Sequence, residues 1–135
     1  MNWQENLLTT TEQIRDLINH TRRIAVLGIK TDAQADQPSV YVPQYMQRAG
    51  FEIIPVPVYY PDATEILGKK VYRKLTDIPG DLDMVDVFRR PSDIDGHIEE
   101  ILAKRPRSVW FQSGIRNDKA AETFAKTGIK VVQDR

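Results

Sequence analysis

An α/β fold, with an open, doubly wound and mostly parallel five-stranded sheet covered by helices on both faces, is what this sequence predicts. Five short apolar runs, RIAVLG, FEIIPVPV, MVDVF, SVWFQ and IKVVQ, alternate with segments of helical spacing. The runs are close to continuous in apolar residues, as expected of strands buried on both sides. The connections are short apart from one excursion after the second run, and such alternation gives parallel pairing through crossover units.

The elements follow in order. In TEQIRDLINH, Ile14, Leu17 and Ile18 recur at helical spacing, with Glu12 and Asp16 near the start and His20 near the end, where charge suits the helix dipole. This predicts a leading helix over about residues 10–20 that covers an edge of the sheet. Ile24 to Leu27 make the first strand, closed by Gly28. Pro38 and Ser39 open the next helix, which carries Val40, Pro43, Tyr45 and Met46 and stops at Gly50. Pro43 belongs to its first turn, where a missing amide costs little.

In the second strand, Pro55 and Pro57 predict departure from the hydrogen-bonding ladder near its carboxyl end. The excursion over residues 59–83 reads as a helical turn around residues 64–67 and a short piece at 70–72. MVDVF is the third strand. A helix over 91–104 places Ile94, Ile98, Ile101 and Leu102 on one face. SVWFQ, the helix in NDKAAETFAKTG and the strand IKVVQ complete the pattern.

The 135 residues suit a single domain spanning 1–135, with one core and no room for a separate catalytic domain. Nineteen Lys and Arg balance nineteen Asp and Glu, so charge implies no nucleic-acid partner. No cysteine is present, which excludes disulfides and thiolate catalysis and removes the commonest structural zinc ligands. The first residues lack a basic segment followed by an apolar one, and no run approaches the roughly 18 apolar residues of a membrane span. The expectation is a cytoplasmic chain with no membrane partner.

In such sheets ligands sit at the carboxyl ends of the strands, where strand order reverses. The loops concerned are residues 28–39, 58–62, 89–92 and 112–117. Helix-start amides attract phosphate, and Ser39 adds a hydroxyl there, a role compatible with that of an ordinary N-cap. Gly28 stands alone where a dinucleotide fingerprint wants three glycines, and strand two ends in Pro55, Val56 and Pro57 without a ribose-binding carboxylate. A nicotinamide site is disfavoured, and the G-x-x-x-x-G-K-[ST] loop is missing.

Arg89 and Arg90 follow the third strand, placed either for phosphate or for surface pairing with Asp93, Asp95 or Asp86. Lys30 can reach a phosphate or remain solvated. Tyr59 and Tyr60 can stack on an adenine or cover the excursion. Gln112 and Gly114 shape the fourth loop by polar contact and close backbone approach. His20 and His97 suit no catalytic role, Ser113 lacks the G-x-S-x-G elbow, and no metal-ligand spacing occurs.

Taken together, RIAVLGIK, PSVYVPQYMQRAGFEIIPV, EILGKKVYRKLTDIP, DMVDVFRRPSDI, VWFQSGI and GIKVVQDR resemble the small single-domain coenzyme A-binding proteins of bacteria. Their Rossmann-like fold is similar to the amino-terminal domain of the succinyl-CoA synthetase alpha subunit. The resemblance runs from about Thr10 to Arg135. It implies a coenzyme A or acyl-CoA ligand whose diphosphate lies near Gly28, Ile29, Lys30 and the helix start at Ser39 and Val40. The adenosine or its 3′-phosphate would then lie between Val58 and Tyr59, after strand two, and Arg89 and Arg90.

This chain departs from the family at Lys30, where a small hydroxyl residue is usual, and at Asp36 and Gln37, where a basic residue often precedes the proline. It also has Val58, Tyr59 and Tyr60 before Pro61, where an asparagine-proline pair is common, and it lacks a cysteine after its final DR. The synthetase's phosphohistidine comes from a domain absent here. Noncatalytic binding of coenzyme A or an acyl-CoA in the crevice at the carboxyl ends of the strands is the leading expectation. The alternatives are a ligand-free regulatory or protein-interaction module, with a homodimer or other protein partner, and an enzyme acting on a CoA thioester.

Overall fold

The computed structural model describes residues 2–135. Its strands are β1 (Arg23–Leu27), β2 (Glu52–Val56), β3 (Glu65–Ile66), β4 (Lys69–Lys70), β5 (Met84–Val87), β6 (Ser108–Phe111) and β7 (Lys130–Val132). Its helices are α1 (Thr11–Asn19), α2 (Pro38–Arg48), α3 (Pro91–Ile94), α4 (Ile98–Lys104) and α5 (Asp118–Lys126). Five strands pair in parallel in the order β2-β1-β5-β6-β7, so the expected doubly wound sheet is present. Strand order reverses between β1 and β5, which makes the ends of those two strands the mouth of the crevice.

Both faces of each central strand are buried, which explains the continuous apolar runs. Ile24 and Val26 of β1 share one cluster with Ile14 and Leu17 of α1, and Met46 of α2 packs against it. Ala25 and Leu27 belong to the opposite cluster with Ile94, Ile101 and Phe124. Phe124 meets Phe111 of β6 with ring centroids 6.5 Å apart. Burial of each such aliphatic or aromatic side chain contributes about 1.5–3 kcal/mol.

The leading helix does not cover a sheet edge. Its Ile14 and Leu17 lie over a sheet face, because an apolar helix stripe needs apolar side chains, whereas an edge offers backbone polar groups. The edge beside β7 is taken by the residues just before α1. Leu7 bridges Val131 in parallel, the Leu8 amide donates to Val131 O at 2.8 Å, and Asn6 Nδ2 donates to Ala125 O at 2.9 Å.

The helical turn expected at residues 64–67 is instead a hairpin of β3 and β4. Leu67 and Gly68 turn it with φ of 53° and 74°, the pair of positive values a tight type I′ connection requires. Ile66 is fully buried, and the Tyr72 amide donates to Pro55 O at 3.0 Å, so this segment lies along the outside of β2. Pro55 stays in register with Val26, and the ladder ends only at Val56. An edge strand tolerates proline because the missing amide falls on its outer side.

The expected helix over 91–104 forms as α3 and α4 joined by a 3-10 turn at Asp95–His97, with the poor helix former Gly96 at its centre. Ile94 and Ile101 are buried, and Ile98 and Leu102 pack on the same cluster.

Candidate functional site

At the reversal point the backbones of the two loops nearly touch. Gly28 has φ 91°, and a Cβ there would fall 2.3 Å from the Phe88 carbonyl oxygen. The Gly28 amide donates to Val56 O at 2.9 Å, while the Phe88 amide donates to Leu27 O at 2.8 Å. Only glycine fits both the dihedral and the space. The first demand on this residue is therefore structural: it lets the first loop cross the end of β5.

A cavity of 370 Å³ opens beside this crossing. Gly28, Lys30 and Ser39 line it from one side, Arg89 and Arg90 from the second and Gly114 from the third. Six of the sequence-predicted site residues, from three separate loops, thus share one space. Gln37, noted in the sequence only as a departure from the family, borders it as well, as do Phe88 and Ile115, which were not singled out.

The loop itself is internally tied. Gln34 Oε1 accepts from the Thr31 amide at 3.1 Å and from Thr31 Oγ1 at 2.6 Å, and the Asp32 carboxylate accepts from the Leu67 amide at 3.2 Å. Lys30 Nζ donates to Gln37 Oε1. Gln37, not Ser39, is the N-cap residue of α2, and no side chain hydrogen-bonds to cap that helix. Ser39 is the second helical residue and is buried at the cavity wall.

The adjacent arginines differ sharply. The Arg89 side chain is 14% exposed and that of Arg90 80%, although both pair with Asp93 Oδ2, at 3.8 and 3.2 Å. Arg89 Nε also donates to His97 Nε2 at 3.1 Å, and its guanidinium carbon lies 5.6 Å from the Tyr59 ring centre, a cation-π distance. Burial and the neighbouring Arg89 charge push the His97 pKa below 6.5, against weaker opposite effects of Glu100 and Asp93. Neutral His97 can accept from Arg89, and protonated His97 cannot.

The remaining candidates lie off the cavity wall. Val58 and Tyr59 are exposed after β2, with Tyr59 reaching the site only through Arg89. Ile29 and Val40 are each 1% exposed and serve the core. Gln112 Nε2 donates at 2.5 Å to Asp86 Oδ1, away from the arginines, so Asp86 is not their counterion. Asp95 is not one either, since its carboxylate accepts from Asn117 Nδ2 at 3.1 Å.

Sequence reading also missed Arg73, whose guanidinium donates to the carbonyls of Tyr59, Tyr60 and Ala63 at 3.2, 2.6 and 2.9 Å and pins the loop after β2. Among the described residues no cluster of three or more His, Asp or Glu could hold a metal, and no helix is long and apolar enough to cross a membrane.

The chain matches the family model described as CoA binding domain over residues 22–135. It belongs to the CoA-binding domain family. The uncharacterised protein YneT of Bacillus subtilis (strain 168) is 36% identical over 122 residues, covering 90% of this chain and 87% of YneT. The solved structure of cell-free ID.343 from Thermus thermophilus superposes with a TM-score of 0.82 at 36% identity, covering all of this chain and 92% of that one. A hypothetical protein from Pyrococcus horikoshii OT3 gives the same TM-score at 29% identity, with 94% and 86% covered. The family and the Rossmann-like fold expected from the residues are thereby established. The likeness to the Thermus thermophilus structure spans α1 as well as the sheet, whereas the family model begins at residue 22.

Proposed function

We propose that this chain binds coenzyme A or an acyl-CoA, without catalysing a reaction on it, in the crevice at the carboxyl ends of β1 and β5. The observation that carries this reading is the shared cavity of Gly28, Lys30, Ser39, Arg89, Arg90 and Gly114. Membership of the CoA-binding domain family supplies the ligand class. At the start of α2, uncapped by any side chain, Pro38 has no amide N–H and the Val40 and Tyr41 amides donate to Gln37 O, which leaves the Ser39 amide for a diphosphate. Arg90, 80% exposed, can turn from Asp93 to a phosphate with little rearrangement, and its loss of the surface pair costs little. Arg89 is held by His97, Asp93 and Tyr59 and acts as a fixed positive charge.

The reading of a binding module rather than an enzyme rests on what lines the cavity: amides, cations and a hydroxyl, with no base placed to activate Ser39. Titration calorimetry tests the reading. Coenzyme A should bind the folded protein saturably, and Arg90→Ala should weaken binding about tenfold, the scale of one charge-assisted hydrogen bond. No heat with coenzyme A at millimolar concentration, from protein shown to be folded, overturns it.

A further inference from the structure

A second cavity, of 230 Å³, lies on the sheet face below α1 and α2. Its walls are mainly apolar, with Ile24 and Met84 from the sheet, Met46 from α2 and Trp110 from β6. Asp86 and Gln112 line it too. Asp86 is 1% exposed, and its Oδ1 accepts from Gln112 while Oδ2 has no partner. A buried polar atom left unpaired costs about 1–3 kcal/mol. The other β5 residues are Met84, Val85 and Val87, so an apolar residue at this position would have met the demands of packing alone. Apolar walls with a few placed polar groups are the make-up of a small-molecule pocket.

The Asp86–Gln112 pair defines the complementary chemistry. Gln112 Nε2 is spent on Asp86, whereas Gln112 Oε1 accepts no hydrogen bond among the described residues. A neutral Asp86 adds an O–H donor at Oδ2. We propose that this cavity is a second binding site, for an apolar group carrying a carboxamide whose carbonyl accepts from Asp86 Oδ2 and whose N–H donates to Gln112 Oε1.

Burial raises the Asp86 pKa from 3.8 to about 7, against the lowering effect of the Gln112 bond, so the donor form is present near neutral pH. The only other ionisable group lining the cavity among the described residues is Arg135, which is exposed and donates to Thr9 O at 3.1 Å. From α1 the lining is Ile18, from α2 Val42 and Met46, and the Thr21 hydroxyl is committed to Leu17 O at 2.7 Å.

This inference does not rest on the crevice reading. The two cavities nevertheless border the same segments: Ser39 and Val42 on α2, Phe88 and Asp86 on and after β5, and Gly114 and Gln112 after β6. The carboxamide can therefore belong to a free molecule or to the amide-bearing arm of a ligand seated in the crevice.

N-butylacetamide and benzamide serve as probes, followed by saturation-transfer NMR and by Trp110 fluorescence in a Trp3→Phe background. Saturable binding is expected at pH 6, at least about fivefold weaker at pH 8.5 as Asp86 ionises. Asp86→Leu should abolish it. Val42→Phe, which narrows the cavity and keeps Asp86, should do the same, with thermal melts confirming both folds. No saturable binding of either probe to folded protein, or binding unchanged in both variants, overturns the proposal. Displacement of bound probe by coenzyme A but not by ADP assigns the carboxamide to the arm of the crevice ligand. Probe binding that persists beside bound coenzyme A assigns it to a free molecule. Probe binding without any coenzyme A binding supports this site and overturns the crevice reading.

Discussion

Gly28 and His97 illustrate how single residues divide between fold and function. The Gly28 position combines positive φ with a 2.3 Å approach to Phe88 O, so Gly28→Ala must open the β1–β5 crossing. A loss of about 2–4 kcal/mol is expected in denaturant unfolding, from strain plus displaced packing. His97 stood in the sequence as a lone histidine beside two glutamates, with nothing to link it to Arg89 eight residues earlier. The 3.1 Å contact makes it a positioning residue for that guanidinium. Since burial and Arg89 lower its pKa, His97 stays neutral through pH 7 and protonates only below its ordinary range of about 6.5. Coenzyme A affinity is then expected to be insensitive to His97→Gln near pH 7.5. Once the pH falls low enough to protonate His97, the wild-type site should lose the Arg89 contact, while the His97→Gln variant changes less, as a calorimetric pH series would show. Asp86 carried a readable signal, a carboxylate at the middle of the apolar run MVDVF, but its partner Gln112 lies 26 positions away and is supplied by the neighbouring strand's end.

At the scale of elements, the strands and main helices were legible because each has its own period, and both faces of the sheet demand apolar residues. The α1 stripe of Ile14 and Leu17 was equally legible, but nothing local says which surface it meets. The β3–β4 hairpin was not legible. Leu67 holds φ 53°, where asparagine or glycine is usual, and the turn persists because Ile66 is fully buried and Leu67 packs on the same cluster. Ile66→Ala should therefore cost about 2–5 kcal/mol in unfolding free energy, far more than an exposed turn residue would. The cap of α5 is the opposite case, local and readable: Asn117 Oδ1 accepts from the Ala120 amide at 3.0 Å. Asn117→Ala is expected to cost about 1 kcal/mol, seen as a lower denaturation midpoint with unchanged slope.

Across the whole molecule, stability should carry the mark of Asp86. Its pKa is about 7 in the folded protein and near 3.8 when exposed, so the folded state binds the extra proton between those values. Its contribution is fully present below about pH 4, falls as pH rises toward 7, and is lost above that. Three pH units correspond to about 4 kcal/mol at most. Asp86→Asn should flatten this decline, so that the variant gains stability relative to wild type between pH 4 and 7 in urea unfolding. The sequence by itself determined the parallel α/β order, the crevice loops and the family, because periodicity, glycine and proline positions and motif spacing are local properties of the chain. Only the tertiary structure decided that Arg89 is fixed while Arg90 stays exposed, that Gln112 turns from the crevice to Asp86, and that α1 lies on a face. Each of those depends on burial and on partners brought together by strand order, and neither is encoded in any one segment.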